Sequence, residues 1–90
     1  MVEVPIEIQN RLGLHARAAA KLVHRASSFK SQIQLCFDDG ERIDAKSILG
    51  ILGRGASQGV RLTLRCEGED EAEALAAVRA LFADRFGEGQ

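Results

Sequence analysis

The chain has 90 residues, with 46% hydrophobic and 4% aromatic side chains, 12 basic against 13 acidic groups and a net charge of −1. This length predicts one domain, residues 1–90, built around a single core. The balanced charge argues against a nucleic-acid-binding protein, and no apolar stretch approaches the roughly 20 residues that cross a membrane.

Both cysteines, Cys36 and Cys66, are predicted to be free thiols. Two cysteines are too few for a disulfide framework or a four-cysteine zinc site. The strand pattern places them on opposite faces of one sheet, where their side chains point in the wrong directions for a disulfide. The N-terminal segment lacks the basic stretch and apolar block of a signal peptide, so we expect a cytoplasmic protein with reduced thiols. We expect neither a metal site nor a cofactor.

Hydrophobic periodicity predicts the element order βαββαβα. Alternating apolar residues predict strands over residues 2–8, 32–37, 42–43 and 60–66, with an Asp-Asp-Gly hairpin turn between the second and the third. Helical spacing predicts helices over residues 16–27 and 47–52 and a long C-terminal helix after Asp70.

These elements predict an α+β open-faced sandwich: a four-stranded antiparallel sheet in the order 1-4-2-3, with three helices on one face. Pro5 lacks an N–H group, which places the first strand at a sheet edge. The first helix returns the chain so that strand 2 runs parallel to strand 1, and strand 4 fits between them. Glu3 and Glu7 then face Arg61 and Arg65 across neighbouring strands, which is a favourable charge pairing.

The predicted helices carry recognisable faces and ends. The apolar face of helix 1 is predicted to contain Ala16, Ala19, Ala20, Val23 and Ala26. Ser47 is predicted to cap helix 2, and Asp70 and Glu73 have the spacing of a capping box for helix 3. Gly87 is a plausible stop for that helix, and we expect residues 87–90 to form a frayed tail.

His15 lies where strand 1 has ended and helix 1 begins. The first N–H groups of a helix lack internal partners and favour an anion, so a negative group attached to the ring would meet ready donors. Arg17 opposes the helix dipole but offers a planar fork suited to phosphate oxygens, and Lys21 and Arg25 extend a positive stripe that would steer an acidic partner. The residues alone leave open a plain polar loop histidine beside a solvated helix face. His24 is expected to be exposed and passive.

Several segments resemble one known family. Residues 13–23 (GLHARAAAKLV) resemble the active-centre motif of HPr, the phosphocarrier family of the phosphoenolpyruvate-dependent phosphotransferase system. Residues 45–52 (AKSILGIL) resemble the regulatory-serine segment of that family. The segments at residues 55–59 and 67–70 resemble its later landmarks, so the resemblance covers essentially the whole chain.

The resemblance implies a phosphocarrier rather than an enzyme. His15 would accept a phosphoryl group on Nδ1 from phospho-enzyme I and pass it to EIIA-type acceptors, and Arg17 would steady that group. Ser47 matches the serine that HPr kinase/phosphorylase modifies in some bacteria, although a plain helix cap stays open as its role. A phosphate on Ser47 would act by adding charge to a docking surface.

The resemblance also implies a partner-docking surface. Leu49 and Leu52 occupy positions that are exposed and apolar in the family, and we place Ala16 and Lys21 on the same surface. Ile48 and Ile51 are predicted to be core residues. Nothing in the sequence predicts an oligomer, so a monomer is the default expectation.

Some positions depart from the family pattern. Ala18 stands where the family usually has proline, and unlike proline it has a backbone N–H that can donate. Arg54 stands where an apolar residue is common in the family. Residues 10–15 and 73–82 resemble the nitrogen-type branch, NPr, whereas residues 45–47 are closer to sugar-type HPr, so the branch stays open.

The sequence leaves two other functions open. A regulatory protein-binding module acting through Ser47 and the helix-2 surface is the main alternative. A small hydrolase of the acylphosphatase type is suggested only faintly by residues 57–60. It would need an arginine loop after strand 1 and a suitably placed catalytic asparagine, and Asn10, the only asparagine, lies on the wrong side of that loop.

Overall fold

The computed structural model describes residues 1–90 and confirms the predicted element order. The strands are β1 Val2–Glu7, β2 Gln32–Phe37, β3 Arg42–Asp44 and β4 Arg61–Glu67, and the helices are α1 Ala16–Ala26, α2 Ile48–Arg54 and α3 Glu71–Ala83. A short 3₁₀ turn, Arg85–Gly87, follows α3. None of these helices has the length and apolar character needed to span a lipid bilayer.

The sheet has the order β1-β4-β2-β3, and every neighbouring pair is antiparallel, as predicted. Pro5 therefore lies on an edge strand, where its missing N–H group removes no internal hydrogen bond. Glu7 lies opposite Arg61 and pairs with it at 3.2 Å, which confirms one of the two predicted charge pairs. Arg65 lies opposite Glu3 in register, but its guanidinium turns to Glu67 of its own strand at 3.8 Å.

The core lies between the sheet and its three helices. Its largest fully buried side chains include Phe82, Phe86, Ile8, Leu22, Ile33, Leu35, Ile51, Leu64 and Val78. Cys66 is buried on this side, whereas Cys36 is half-buried on the other face, and both thiols are free, as predicted. Burial raises the pKa of the Cys66 thiol to about 11.

The predicted apolar face of α1 is rotated from the true one. The buried residues are Ala18, Ala19, Leu22 and Ala26, whereas Ala16 and Ala20 are exposed and Val23 is half-buried. Alanines stand on both sides of this helix, so they do not fix the phase of the stripe. Leu22 fixes it, because it is the larger side chain and loses more apolar area to water.

The predicted capping box at Asp70 is wrong. Its carboxylate does not cap α3 but accepts hydrogen bonds from the N–H groups of Lys30 and Ser31, each at 2.9 Å, and from the Ser31 hydroxyl. These bonds, led by that of the hydroxyl, lower the pKa of Asp70 to about 2. Asp70 thus ties the chain entering β2 to the start of α3, because three donors there compete successfully with the helix end.

The C-terminal residues are not frayed, contrary to the prediction. Phe86 is fully buried and packs edge-to-face on Phe82, with ring centroids 4.9 Å apart. The Nζ of Lys21 donates to the Phe86 carbonyl at 2.6 Å, and the Arg11 N–H donates to the backbone oxygen of Gln90 at 3.0 Å. A buried aromatic ring thus anchors a segment whose glycines and polar residues suggested disorder. We call residues 85–90 the C-terminal strap.

Candidate functional site

His15 is the N-cap residue of α1, with extended backbone angles of φ −75° and ψ 179°. The first helical hydrogen bond runs from the Ala19 N–H to the His15 carbonyl at 2.8 Å. The N–H groups of Ala16 and Ala18 precede that bond and have no acceptor inside the helix. The imidazole, 27% exposed, therefore lies at the positive end of α1. No acidic residue occupies the first turn to neutralise it.

The two ring nitrogens of His15 have different partners. Nδ1 accepts a hydrogen bond from the Arg17 N–H at 3.3 Å. Nε2 contacts the Glu88 carboxylate, which at neutral pH can only accept, so Nε2 carries the proton. These partners assign the tautomer with a lone pair on Nδ1. The hydrogen bond from His15, with smaller help from Asn10, lowers the pKa of Glu88.

A close contact between two loops fixes the approach to His15. Gly13 has φ +66°, and a Cβ built there would lie 2.6 Å from the Ala56 carbonyl oxygen. The next residue, Leu14, donates its N–H to that same oxygen at 2.9 Å. Glycine is therefore required at position 13, both by its backbone angle and by the space available.

Positive side chains line the groove beside His15. Arg11, Arg17 and Lys21 border it together with Glu88 and Gln90, around a volume of about 620 Å³. Arg17 is exposed and has no acidic partner within the chain, so its guanidinium is available to an incoming anion. Lys21 is committed to the strap through the Phe86 carbonyl, and it contributes charge rather than a free donor fork. No group of His, Cys, Asp or Glu side chains is arranged to hold a metal ion.

Ser47 caps α2 as predicted, since its Oγ accepts the Gly50 N–H at 3.1 Å. Beside it, Leu49 is 81% exposed and Leu52 is 41% exposed, which matches the prediction, and Ile51 is buried. Ile48 was predicted to be a core residue but is 37% exposed. It starts the helix, and a helix of two turns presents only one narrow side to the core.

Two residues near His15 escaped the sequence analysis. Leu12 is 66% exposed, three residues before His15 and on the border of the groove. Glu88 reaches His15 across 73 positions of sequence, and no local pattern signals such a contact. A local signal existed only for Leu12, which is an apolar residue directly before Gly13 in a predicted loop.

The departure at Arg54 has a structural explanation. Its guanidinium pairs with Asp39 at 3.3 Å and Glu41 at 2.9 Å, and it stacks over the Phe37 ring at 4.2 Å. These contacts tie the end of α2 to the turn between β2 and β3. Arg54 thus fills the place of an apolar residue by packing on the Phe37 ring, and Asp39 and Glu41 balance its charge.

Comparison with known proteins gives one consistent result. The family model "PTS HPr component phosphorylation site" matches residues 2–84. The phosphocarrier protein HPr of Cupriavidus necator is 47% identical over 90 residues, covering both chains completely. The phosphocarrier protein NPr of Escherichia coli is 38% identical over 87 residues, which is 97% of each chain.

Solved structures agree with the fold. The crystal structure of HPr-C-His from Thermoanaerobacter tengcongensis matches with a TM-score of 0.92 and 50% identity, covering 98% of each chain. A crystal structure of an HPr dimer from the same organism matches with a TM-score of 0.74 and 49% identity, covering 98% of this chain and all of that one.

Proposed function

The chain belongs to the HPr family of phosphotransferase-system phosphocarriers, which are carriers and not enzymes, and from this premise we propose its individual chemical step. His15 accepts a phosphoryl group from phospho-enzyme I, which obtains it from phosphoenolpyruvate. It then passes the group to EIIA-type acceptors. The observation that carries this proposal is the His15 ring itself, which holds a lone pair on Nδ1 at the positive end of α1.

The geometry suits phosphoryl transfer in both directions. The Nδ1 lone pair forms a bond to phosphorus while the bond from phosphorus to the donor breaks. The Arg17 N–H, which now donates to Nδ1, is then released toward a phosphoryl oxygen, beside the open N–H groups of Ala16 and Ala18. The Arg17 guanidinium supplies a planar fork for the remaining charge. The backbone N–H groups are held by the helix before the reaction, so they need little reorganisation.

We propose that partners dock on the exposed apolar side chains near this site, with Leu49 and Leu52 at the centre. Exposed apolar clusters on a small protein are typical of interaction surfaces. Ala16 is exposed beside His15, and Lys21 adds positive charge that would steer an acidic face of enzyme I or EIIA.

We also propose Ser47 as a regulatory phosphorylation site for an HPr kinase/phosphorylase. Its side chain lies next to the exposed Ile48 and Leu49. A phosphate would add close to two negative charges at the edge of the apolar surface, which opposes docking of an acidic partner. A chain acting only as a regulatory module through this surface is the alternative, and it would not need His15.

We propose that the chain works as a cytoplasmic monomer, in either the sugar or the nitrogen branch. Both HPr and NPr relatives are similar to it. Because an HPr dimer is among the similar structures, the monomer is tested by sedimentation at the concentrations used for transfer assays. A stable dimer at those concentrations would overturn it.

The carrier proposal is tested by incubating the chain with phosphoenolpyruvate and enzyme I from the same organism. We expect an acid-labile phosphate on the wild type and on Ser47→Ala, and none on His15→Ala. His24→Ala is the matched control, since His24 is exposed in the middle of α1. Absence of labelling by an active enzyme I would contradict the carrier role and favour the regulatory module.

A further inference from the structure

We propose that Glu88 is a positioning residue for His15, and this inference rests on the carrier function proposed above. Its carboxylate holds the imidazole in the tautomer that leaves Nδ1 unprotonated, and it balances the charge that the ring acquires on phosphorylation. The contact between the His15 Nε2 and the Glu88 Oε2 carries the proposal. The three other charged side chains that border the groove, Arg11, Arg17 and Lys21, are positive.

The C-terminal strap holds Glu88 in place at both ends. Before Glu88, the buried Phe86 anchors the chain and its carbonyl accepts from Lys21. After Glu88, the backbone oxygen of Gln90 accepts the Arg11 N–H. Glu88 therefore contacts His15 from a segment fixed on each side and not from a free end.

Asn10 provides a second contact from the opposite loop. It is completely buried, and its amide group donates to the Gly13 carbonyl at 2.7 Å and to the Glu88 Oε1 at 3.0 Å. Its own Oδ1 has no hydrogen-bond partner within the chain. A fully buried amide that donates both to the loop before α1 and to Glu88 fixes the carboxylate relative to His15.

The backbone of the C-terminal strap is strained at two positions. Arg85 and Phe86 have φ angles of +54° and +53°, in the left-handed region that side chains other than glycine avoid. This conformation turns the chain back after α3 and directs Glu88 toward α1. Strained positions persist only where the surrounding contacts hold them, and they concentrate at functional sites.

The chemistry explains what the carboxylate contributes. When Nδ1 bonds to phosphorus, the electron pair of the broken donor bond leaves with the donor, and the proton stays on Nε2. The ring then carries a positive charge, which the Glu88 carboxylate balances directly. In the reverse step the P–N bond breaks and the ring leaves as a neutral imidazole that still holds its Nε2 proton. No proton has to move in either direction.

The tautomer is tested by NMR on the unphosphorylated, ¹⁵N-labelled chain at alkaline pH. We expect the wild type to show Nε2 protonated and Nδ1 bare. Glu88→Gln keeps an acceptor and should preserve this pattern, whereas Glu88→Ala should shift the two nitrogens toward a mixture. Glu69→Gln, an exposed acid in the loop before α3, is the control. An unchanged tautomer in Glu88→Ala would overturn the inference.

Transfer kinetics test the role in the reaction. We expect Glu88→Ala to lower kcat for phosphorylation by phospho-enzyme I by about tenfold, with KM changed less than about twofold. Glu88→Gln should fall between it and the wild type, because it keeps the tautomer but lacks the charge. A rise in KM with kcat unchanged would refute positioning and indicate docking instead. Since the ring measurement needs no phosphate, a chain that keeps the predicted tautomer but is never labelled refutes the carrier function, not the Glu88–His15 contact.

Discussion

Replacing Gly13 by alanine tests how the loop before His15 is held. A Cβ at this position would lie 2.6 Å from the Ala56 carbonyl oxygen and 2.8 Å from the Ser57 Cα, both of which are backbone atoms. Neither atom can move aside as the end of a flexible side chain would. The Leu14 N–H bond to the same carbonyl would be disturbed as the two loops separate.

The chain offers a matched control for this substitution. Gly55, the residue after α2, has φ +67° against +66° for Gly13, yet a Cβ there would meet no atom within 4 Å. Gly55→Ala therefore carries only the left-handed backbone strain, about 1–2 kcal/mol. Gly13→Ala carries that strain and an added clash of about 1–3 kcal/mol, as in overpacked cores. The difference between the two variants measures the close approach alone.

Thermal unfolding followed by circular dichroism measures both variants. For a domain of this size, 1 kcal/mol corresponds to about 4–8 °C, so we expect Tm to fall by roughly 5–15 °C in Gly55→Ala and roughly 10–40 °C in Gly13→Ala. We also expect only Gly13→Ala to slow the labelling of His15, because His15 follows the displaced loop. Equal losses of stability in the two variants would refute the steric argument.

Three further predictions follow from individual contacts. Ser47→Ala should lower the free energy of unfolding by about 1 kcal/mol in urea titrations, through loss of the α2 cap, while His15 is still labelled. The pKa of Asp70 is lowered from 3.8 to about 2, so the ionised carboxylate stabilises the folded wild type fully at pH values above 3.8. This contribution to stability should be lost as the pH falls from 3.8 through about 2. Asp70→Asn should lack this part of the pH dependence of Tm, and an identical dependence would contradict it. Alkylation of the native protein should label Cys36 but not the buried Cys66, whereas denaturant should expose both.

Much of the fold could be predicted because it depends on short-range patterns. Period-two alternation located the four strands, and the missing N–H of Pro5 placed β1 at the edge. The change to helical spacing at Ala16 located α1 and therefore placed His15 at its start. The candidate site could be predicted because its evidence lies within a few residues of sequence. His15 stands at the start of α1, and Arg17 follows two residues later.

Three errors depend on how the whole fold packs and not on local spacing. Asp70 has the spacing of a helix cap, but its carboxylate accepts hydrogen bonds from the N–H and hydroxyl groups of Ser31 instead. Ile48 has the composition of a core residue, but α2 is too short to bury more than one side. The C-terminal strap has the composition of a loose tail, but Phe86 finds a place in the core. Spacing predicts what a residue can do locally and does not rank competing distant partners.

The structure shows what an alanine at position 18, in place of the proline usual in the family, changes at the start of α1. Ala18 is the third residue of α1, and its side chain is fully buried against the core. A proline there, as the resemblance would suggest, fits the first turn but has no N–H to offer. Alanine has a small side chain that fits this buried position. Its N–H also adds a backbone donor at the N-terminal end of α1, where the Arg17 N–H donates to the His15 Nδ1. The extra N–H would therefore strengthen the anion site proposed at His15, because each fixed N–H at that helix end adds to the positive potential that a phosphoryl group would meet.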